Sequence, residues 1–254
     1  MDSPLNYFGG KSRLAKTIIS RIPKHICYVE PFAGAAWVFF KKPPSKVEVL
    51  NDRDNNIVNV YRIIQHHPEE FLKQFKTLFI SRTLFDLLKR HDDECLTDIH
   101  RAVKWFYILK VCFGGRAVNP SFGTGTTHSR GLNLLDLEET IVQIHWRLAR
   151  VTIENKPYQE VIAIYDRPHT FFYLDPPYFG IKAYRLNFEP GDFEELASVL
   201  EGLRGKFLLS LNDHPEVRRL FAGFNIKPVT LKYSVMRKPG ARASLRRELL
   251  LSNY

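Results

Sequence analysis

Strand-like apolar segments lie near both ends of the chain, and none is evident in its middle. Two of them, CYVEP and KVEVLND, fall within residues 27–52, and five more follow residue 150: VTIEN, TFFYLD, KFLLSLND, IKPVTLKYSV and RRELLLSNY. Most are separated by turns and helical patterns, an alternation typical of a parallel sheet with helices on its faces. The predicted fold class is α/β, with one sheet split in sequence by a long insertion.

The insertion has a different pattern. Between residues 53 and 112, apolar residues recur every three to four positions, as in Ile57, Val60, Tyr61 and Ile64, which predicts helices. Residues 113–133 are glycine-rich and aperiodic, and we expect them to form a long surface loop. The expected domains are therefore a sheet domain, residues 1–54 and 151–254, and a mainly helical domain, residues 55–150, which carries this loop.

Charge and cysteine content narrow the class of protein. Thirty-seven Lys and Arg against 27 Asp and Glu give a net charge of +10, which favours a polyanionic partner, with nucleic acid ahead of an anionic membrane. No apolar run reaches the length of a membrane-spanning helix, so we expect an intracellular protein without membrane contact. Cys27, Cys95 and Cys112 are widely spaced and are expected to be buried apolar residues rather than disulfide or metal ligands. No metal is expected.

The segment FFYLDPPYFG, residues 171–180, joins a buried strand to an acceptor-rich turn. Pro176 and Pro177 have no backbone N–H, and an ionised Asp175 only accepts hydrogen bonds. Tyr178 adds a flat ring. Such a turn suits a planar group that carries N–H donors. The alternative is an ordinary loop start after a buried strand.

Two glycine turns precede this segment. Gly9 and Gly10 permit close backbone approach to a ligand and Lys11 could reach an anion, although an ordinary turn with a solvated lysine fits equally. The sequence GGKS is not a nucleotide-triphosphate loop, because Leu5 stands where that motif needs glycine. The second turn, at Gly34 in VEPFAGAA, follows a strand and precedes a helical pattern.

The second turn lacks the G-x-G-x-x-G pattern, which disfavours pyrophosphate binding and a nicotinamide-dependent oxidoreductase. A ligand with a sugar and no phosphate remains. Asp52 ends the next strand 18 residues after Gly34, close to the spacing at which an acid meets ribose hydroxyls. The alternative for Asp52 is an exposed acid at a strand end.

Four segments, YFGGK, VEPFAGA, VLND and YLDPPY, resemble in this order the Dam-type DNA adenine-N6 methyltransferases. The resemblance implies a Rossmann-like, S-adenosylmethionine-dependent methyltransferase sheet with an inserted, mainly helical target-recognition domain. Two positions depart from the family pattern: Tyr7 stands where tryptophan is usual, and Ala36 stands where a second glycine is usual.

The resemblance also implies roles for individual residues. The implied cofactor-binding residues are Tyr7, Gly9, Gly10, Lys11, Glu30, Phe32, Gly34, Asp52 and Asp175. The implied catalytic residues are Asp175, Pro176, Pro177 and Tyr178. Asp175 and the Pro176 carbonyl would accept the adenine N6 hydrogens, and Tyr178 would stack on an adenine flipped out of the duplex.

Double-stranded DNA is the expected partner, with a possible cognate restriction endonuclease. The predicted DNA-binding residues are Arg116, Asn119, Ser121, Thr124, His128 and Arg130. A second basic segment, residues 232–247, is expected to contact phosphates; a solvated charged surface is the alternative for both segments. We expect a monomer or weak dimer in the cytoplasm, associated with the nucleoid.

Two other functions remain open from the residues alone. The acceptor turn would also suit an N4-cytosine or an RNA adenine methyltransferase. The chain could also be a DNA-binding module that has lost catalysis, although the intact Asp175–Tyr178 segment, Asp52 and Lys11 disfavour this.

Overall fold

The computed structural model describes residues 1–125, 131–233 and 244–254. Within these residues the strands are β1 (Cys27–Glu30), β2 (Val47–Asn51), β3 (Val151–Glu154), β4 (Thr170–Leu174), β5 (Lys206–Asn212), β6 (Asn225–Tyr233) and β7 (Ser244–Ser252). The helices are α1 (Ala15–Ile19), α2 (Trp37–Lys41), α3 (Asn55–His66), α4 (Pro68–Phe75), α5 (Arg82–Arg90), α6 (Asp98–Val111), α7 (Leu137–Leu148), α8 (Tyr158–Tyr165), α9 (Pro190–Glu201) and α10 (Pro215–Leu220).

The strands form one sheet in the order β3-β2-β1-β4-β5-β7-β6. The first five strands in this order are parallel, and β7 runs antiparallel to both of its neighbours. Each predicted strand segment is a strand, and helices α3 to α7 follow β2 and precede β3. The predicted α/β class with a helical insertion is confirmed.

The central strands are apolar on both faces because helices cover both sides of the sheet. In β4, Phe171 and Tyr173 pack with α1, α2 and the insertion, whereas Phe172 and Leu174 pack with α8, α9 and α10. All four side chains are buried, and burial of each stabilises the folded state by about 1.5–3 kcal/mol. This two-sided burial is why residues 171–174, FFYL, form a continuous apolar run.

The sheet order places a crevice between β1 and β4. From β1 the chain proceeds outward through β2 to β3, and it then returns to the other side of β1 with β4 and β5. Helices on opposite faces leave an opening where two adjacent parallel strands diverge in this way, outside their carboxyl ends. Glu30 ends β1 and Asp175 directly follows β4, so both residues lie at this opening.

The apolar spacing of KSRLAKTIISRI, residues 11–22, predicts a helix that is longer than the observed α1. Helix α1 spans only Ala15–Ile19, and the backbone N–H groups of Arg21 and Ile22 then bond three residues back rather than four. Lys11, which the pattern placed in the helix, precedes it and points its ammonium group at Asp175. The contact with Asp175 holds the N-terminal end of the predicted segment in a turn.

A buried charge cluster ties the insertion to the sheet. Glu48 of β2 accepts two hydrogen bonds from the Arg147 guanidinium of α7, at 2.5 and 2.9 Å, and one from Lys42 at 2.5 Å. Burial alone would raise the pKa of Glu48, but the bonds from Arg147 and Lys42 hold it below its ordinary value. Removing one partner of such a buried pair costs about 3–5 kcal/mol.

The sequence predicts buried cysteines, no membrane-spanning helix and no metal site. Cys27 and Cys112 are buried as expected, but Cys95 is exposed at the end of the short 3-10 turn Asp93–Cys95, so the prediction is wrong for Cys95. No helix in the described ranges is long and apolar enough to cross a membrane. In the same ranges no cluster of His, Cys, Asp and Glu side chains could hold a metal ion.

Candidate active site

A cavity of about 350 Å³ opens at the carboxyl ends of β1 and β4. Its volume lies within the range of small-ligand pockets, about 300–1,000 Å³. It is lined by residues 7–11, 30–38, 52–54 and 156–159, by Tyr173, Asp175 and Pro177, and by Tyr184, Leu186, Asn187, Phe188 and Asp192. The glycine turns, Asp52 and Asp175, which are distant in sequence, therefore share one cavity.

Asp175 is held by two donors. Its Oδ1 accepts a hydrogen bond from Lys11 Nζ at 2.5 Å and another from Ser210 Oγ at 2.9 Å. Burial raises the pKa of Asp175 above its ordinary value, and the charge of Lys11 and both hydrogen bonds partly offset this rise. Among the described residues both bonds fall on the same oxygen, which leaves Oδ2 for a ligand N–H.

The rest of the DPPY turn is less open to the cavity. Pro177 lines the cavity, whereas Pro176 and Tyr178 are buried and are not part of its wall. The Tyr178 ring lies against the Lys11 ammonium, 4.7 Å from the ring centroid, and its hydroxyl has no hydrogen-bond partner in the described part of the chain. Stacking of Tyr178 on a base and acceptance of a base hydrogen by the Pro176 carbonyl therefore both stay predictions.

The first glycine turn allows close packing of large side chains. Gly9 has a φ of +77°, and a Cβ there would lie 2.8 Å from the Tyr184 hydroxyl. A Cβ at Gly10 would lie 2.9 Å from Trp37 Nε1. A Cβ at either position would force its neighbour to move, and at Gly9 the positive φ adds backbone strain, so both positions favour glycine. Lys11 Nζ also donates to the Gly9 carbonyl at 3.1 Å, which fixes the lysine between this turn and Asp175.

The second glycine turn is held by hydrogen bonds on both sides of Gly34. Gly34 has a φ of +47°; its N–H donates to Asp52 Oδ2 and its carbonyl accepts from the Tyr61 hydroxyl, both at 2.7 Å. Tyr7 packs on the turn, since its ring lies 3.5 Å from the position a Gly34 Cβ would take. A tyrosine thus supplies the flat surface where the family usually has tryptophan.

Ala36 adopts a left-handed conformation, with φ 49° and ψ 39°. For a residue with a Cβ this conformation costs about 1–2 kcal/mol. The backbone N–H of Ala36 donates to the Ala33 carbonyl at 2.6 Å, which closes the turn that starts α2. The usual glycine at this position would adopt the same conformation without that cost.

Asp52 and Glu30 are acids inside the cavity with raised pKa values. Burial raises the pKa of Asp52 to about 6, although backbone N–H groups, including those of Asp54 and Gly34, bond to its carboxylate. Burial likewise raises the pKa of Glu30 to about 8, while its Oε1 accepts from the Tyr28 hydroxyl at 2.6 Å and from the Phe39 N–H at 2.9 Å. Both carboxyl groups are therefore oriented by the protein before a ligand binds.

Sequence reasoning named Phe32 but missed Tyr158 and Phe188, which form an aromatic wall with it. Phe32 packs against Tyr158 and Phe188, with ring centroids 5.1 and 5.7 Å apart. Tyr158 starts α8 just after β3, and a search of the residues beyond each strand's carboxyl end could have found it. Phe188 lies in the loop between β4 and α9, where no periodic pattern marks it.

Arg185 was also missed. It lies in the same loop, its guanidinium covers the Trp105 ring at 4.6 Å, and it approaches Asp54 at 3.3 Å and Asp93 at 3.8 Å. Trp105 and Asp93 belong to the insertion. Arg185 therefore joins the loop that follows the DPPY turn to the helical part of the molecule.

The cavity suits a cationic nucleoside better than a nucleotide. In the described residues its wall carries five carboxyl groups, on Glu30, Asp52, Asp54, Asp175 and Asp192, and three basic side chains, on Lys11, Arg53 and Lys156. This excess of acids occurs in a protein whose net charge is +10. A phosphate would meet several carboxylates, whereas the sulfonium and ammonium groups of S-adenosylmethionine would be attracted. The aromatic wall and Asp52 suit its purine and ribose.

The predicted DNA-binding residues begin on a short hairpin. Cys112 pairs with Phe122, and the Phe113 N–H bonds to the Ser121 carbonyl at 2.8 Å. Arg116, Asn119, Ser121 and Thr124 are exposed, while His128 and Arg130 lie outside the described residues, as do residues 234–243 of the second basic segment. Helix α5 supports the hairpin through the packing of Phe85 on Phe122, with ring centroids 5.6 Å apart.

The hairpin also contacts the first glycine turn. The Phe8 N–H donates to the Gly115 carbonyl at 2.8 Å, and the Arg116 guanidinium lies 5.8 Å from the Phe8 ring centroid. Gly115 has a φ of +66°, and a Cβ there would come within 2.9 Å of the Asn6 and Tyr7 backbone. The predicted DNA-binding segment is thus packed directly on the cavity wall.

Comparison with known proteins agrees with this geometry. The family model for D12 class N6 adenine-specific DNA methyltransferases matches residues 7–235. The type II methyltransferase M.MjaIII of Methanocaldococcus jannaschii is 25% identical over 286 residues, covering 98% of each chain. M1.LlaDCHI of Lactococcus lactis subsp. cremoris, also a type II methyltransferase, is 24% identical over 272 residues, covering 97% of this chain and 93% of its own.

A third relative matches over a shorter stretch. The DNA adenine methylase of Escherichia coli strain K12 is 27% identical over 115 residues, which is 44% of this chain and 41% of that protein. The resemblance to the Dam-type enzymes that the four motifs indicated is confirmed. The chain belongs to the D12 class N6 adenine-specific DNA methyltransferase family, and it is an enzyme that uses S-adenosylmethionine to methylate adenine in DNA.

Proposed function

We propose that this enzyme is site-specific and acts on an adenine that has been rotated out of a short duplex DNA sequence. The observation that carries the proposal is the position of Asp175, inside the cavity at the end of β4, with one carboxylate oxygen held by Lys11 and Ser210. A base within a duplex cannot enter such a cavity, and flipping costs a few kcal/mol.

Bound S-adenosylmethionine supplies an electrophilic methyl group. The protein's part is to raise the electron density at N6, whose lone pair is delocalised into the adenine ring. Asp175 Oδ2 and the Pro176 carbonyl accept the two N6 hydrogens, which favours the positive charge that develops on nitrogen during attack. The amino group is held in line by these two acceptors, so the transfer is direct and forms no covalent enzyme intermediate. The excess proton then leaves N6 for solvent, which gives neutral N6-methyladenine.

The cavity residues divide the work of holding the cofactor. We assign the ribose hydroxyls to Asp52 and the purine to the wall of Phe32, Tyr158 and Phe188, and Glu30 contacts the cofactor as a protonated, hydrogen-bonding group. Gly9, Gly10 and Gly34 allow the backbone to approach the ligand closely, with Tyr7 behind the second turn. Lys11 acts here through Asp175, its ion-pair partner in the structure.

We assign target recognition to residues 55–150 and base contacts to the hairpin. Arg116 and Asn119 are exposed near its tip and have donors that can reach base edges in the major groove. Ser121 and Thr124 follow on the same exposed segment. The contact of Gly115 with the first glycine turn supports this assignment, because it places the hairpin beside the cavity that would receive the flipped base.

The full-length relatives are type II methyltransferases. We propose that this chain likewise protects DNA from a cognate restriction endonuclease, acting in the cytoplasm as a monomer or weak dimer on nucleoid DNA. DNA methylated by the purified enzyme should resist those endonucleases whose sites contain its target. Complete cleavage of the methylated DNA by a panel of endonucleases whose sites contain the mapped target sequence would contradict the protective role.

The chemical assignment is tested by Asp175→Ala and Asp175→Asn. Each should lower the rate of N6-methyladenine formation by about 10³-fold, the scale of losing a main charge-stabilising group. Nucleoside analysis of unmethylated genomic DNA after incubation measures the product, and it also distinguishes N6-methyladenine from N4-methylcytosine. The same assay on RNA tests the other alternative substrate.

Asp213→Asn is a matched control. Asp213 follows β5 as Asp175 follows β4, but it pairs with Arg218 outside the cavity. Asp213→Asn should form N6-methyladenine at the wild-type rate. Full activity in the Asp175 variants, with normal melting temperatures, would show that Asp175 does not take part in the reaction.

A further inference from the structure

Ser210 on β5 donates to the acid proposed for catalysis and is itself in contact with a further hydroxyl group. Its side chain is fully buried. Its Oγ lies 2.9 Å from Asp175 Oδ1 and 3.1 Å from the Tyr173 hydroxyl. The pairing of Leu174 with Leu209 in the parallel β4–β5 ladder places Ser210 beside Asp175.

The direction of these hydrogen bonds follows from the chemistry of the groups. An ionised Asp175 can only accept, so Ser210 donates its single hydroxyl proton to Oδ1. The Tyr173 hydroxyl must then donate to Ser210 Oγ. The other acceptor near Ser210, the Leu174 carbonyl, is farther away at 3.5 Å. Tyr173, Ser210 and Asp175 thus form one directed chain of hydrogen bonds.

The two donors to Asp175 differ in rigidity. Lys11 reaches it through a long side chain that begins outside any helix or strand, whereas Ser210 holds it from the middle of a buried strand of the sheet. A short side chain on a packed strand fixes the position of its partner better than a long flexible one. Rotation of the Asp175 carboxylate would move Oδ2 away from the substrate amino group and break the bond to Ser210.

We propose that Ser210 and Tyr173 are positioning residues for methyl transfer: they hold the Asp175 carboxylate so that its second oxygen meets the adenine amino group. The proposal rests on the role assigned to Asp175 above. It predicts a loss in the rate of the chemical step, with little change in the binding of DNA or cofactor.

The test compares Ser210→Ala, Tyr173→Phe and the double variant with wild type. We expect Ser210→Ala to lower kcat by about 10- to 100-fold, with KM for DNA and Kd for S-adenosylhomocysteine within about twofold of wild type. Tyr173→Phe should lower kcat by about three- to tenfold. The double variant should resemble Ser210→Ala, because Tyr173 acts only through Ser210.

A pH profile separates positioning from general destabilisation. The Ser210 hydroxyl donates to the charged form of Asp175, so its loss should shift the acidic limb of kcat to higher pH, by up to about one unit. Ser210→Thr keeps the hydroxyl and should restore the wild-type limb. Ser252→Ala is a matched control, because Ser252 is a buried serine on β7 that donates to the Tyr254 carbonyl at 3.0 Å.

The outcomes are distinct. Unchanged kcat in Ser210→Ala, or an equal loss in Ser252→Ala, overturns the positioning role even if Asp175→Asn is inactive. A loss confined to KM also overturns it. If Asp175→Asn remains fully active, the role assigned to Asp175 fails, and the role of Ser210 fails with it. Melting temperatures of all variants identify any that do not fold, and Ser210→Thr then decides.

Discussion

Asp52 should make cofactor binding depend on pH below neutrality. Its carboxylate accepts from the N–H groups of Gly34 and Asp54, and burial raises its pKa to about 6. A ribose hydroxyl that donates to Asp52 favours the ionised form, so protonation of the free enzyme competes with binding. One pH unit below the pKa, about ten protonated molecules exist for each ionised one, which corresponds to a tenfold loss of affinity, or about 1.4 kcal/mol.

The assay is equilibrium binding of S-adenosylhomocysteine at pH 5, 6 and 7. Kd should rise about tenfold between pH 7 and pH 5. Glu30, with a pKa of about 8, stays protonated across this window and does not contribute. Asp52→Asn should bind more weakly at pH 7 and show no such trend. A Kd constant within twofold in wild type, or the same trend in Asp52→Asn, would refute the assignment of Asp52 to the ribose.

Three further predictions use single variants. Gly115→Ala should weaken S-adenosylhomocysteine binding, because its Cβ would push on the Asn6–Tyr7 backbone, whereas Gly114→Ala has similar φ strain but open space and should bind normally; equal effects would contradict the packing argument. The folded pKa of Glu30, about 8, exceeds its ordinary value of 4.5, so Glu30 loses its stabilising contribution as pH rises from 4.5 towards 8. Glu30→Gln should therefore gain stability over wild type by about 3 kcal/mol between pH 4.5 and 7 in urea unfolding, and an unchanged difference would exclude the shift. Arg116→Ala should weaken binding to the recognition duplex by about 1–3 kcal/mol more than binding to an unrelated duplex; equal losses would indicate a phosphate contact.

The sheet and the location of the site were predictable because local chemistry determines them. TFFYL is buried at every position and apolar from Phe171 to Leu174 since both faces of β4 are covered, and the two prolines after Asp175 end the strand at the carboxyl edge. Glycine at positions 9 and 34 marked backbone with positive φ. Such features act within a few residues and are visible in a single sequence.

The pairings inside the site could not be predicted from sequence. Lys11 and Asp175 lie 164 residues apart, and Lys11, which precedes α1, reaches Asp175 only in the folded protein. The same holds for Ser210, whose partner is set by the order of β4 and β5. Arg185 and Phe188 lie in an irregular loop, and their positions depend on Trp105 and Phe32 from other parts of the chain. Tertiary structure alone determines these contacts.

The hydrogen bond from Tyr61 to Gly34 limits where the helical insertion can be exchanged for that of a related enzyme. Tyr61 belongs to α3, the first helix after β2, yet it fixes the turn in the cavity wall. A chimaera in which the foreign insertion began directly after β2 would lose this contact, and the turn at Gly34 would loosen. A chimaera that kept α3 and joined the foreign segment after His67 would retain it. Changes of target specificity by recombination should therefore tolerate a crossover after α3 better than one before it.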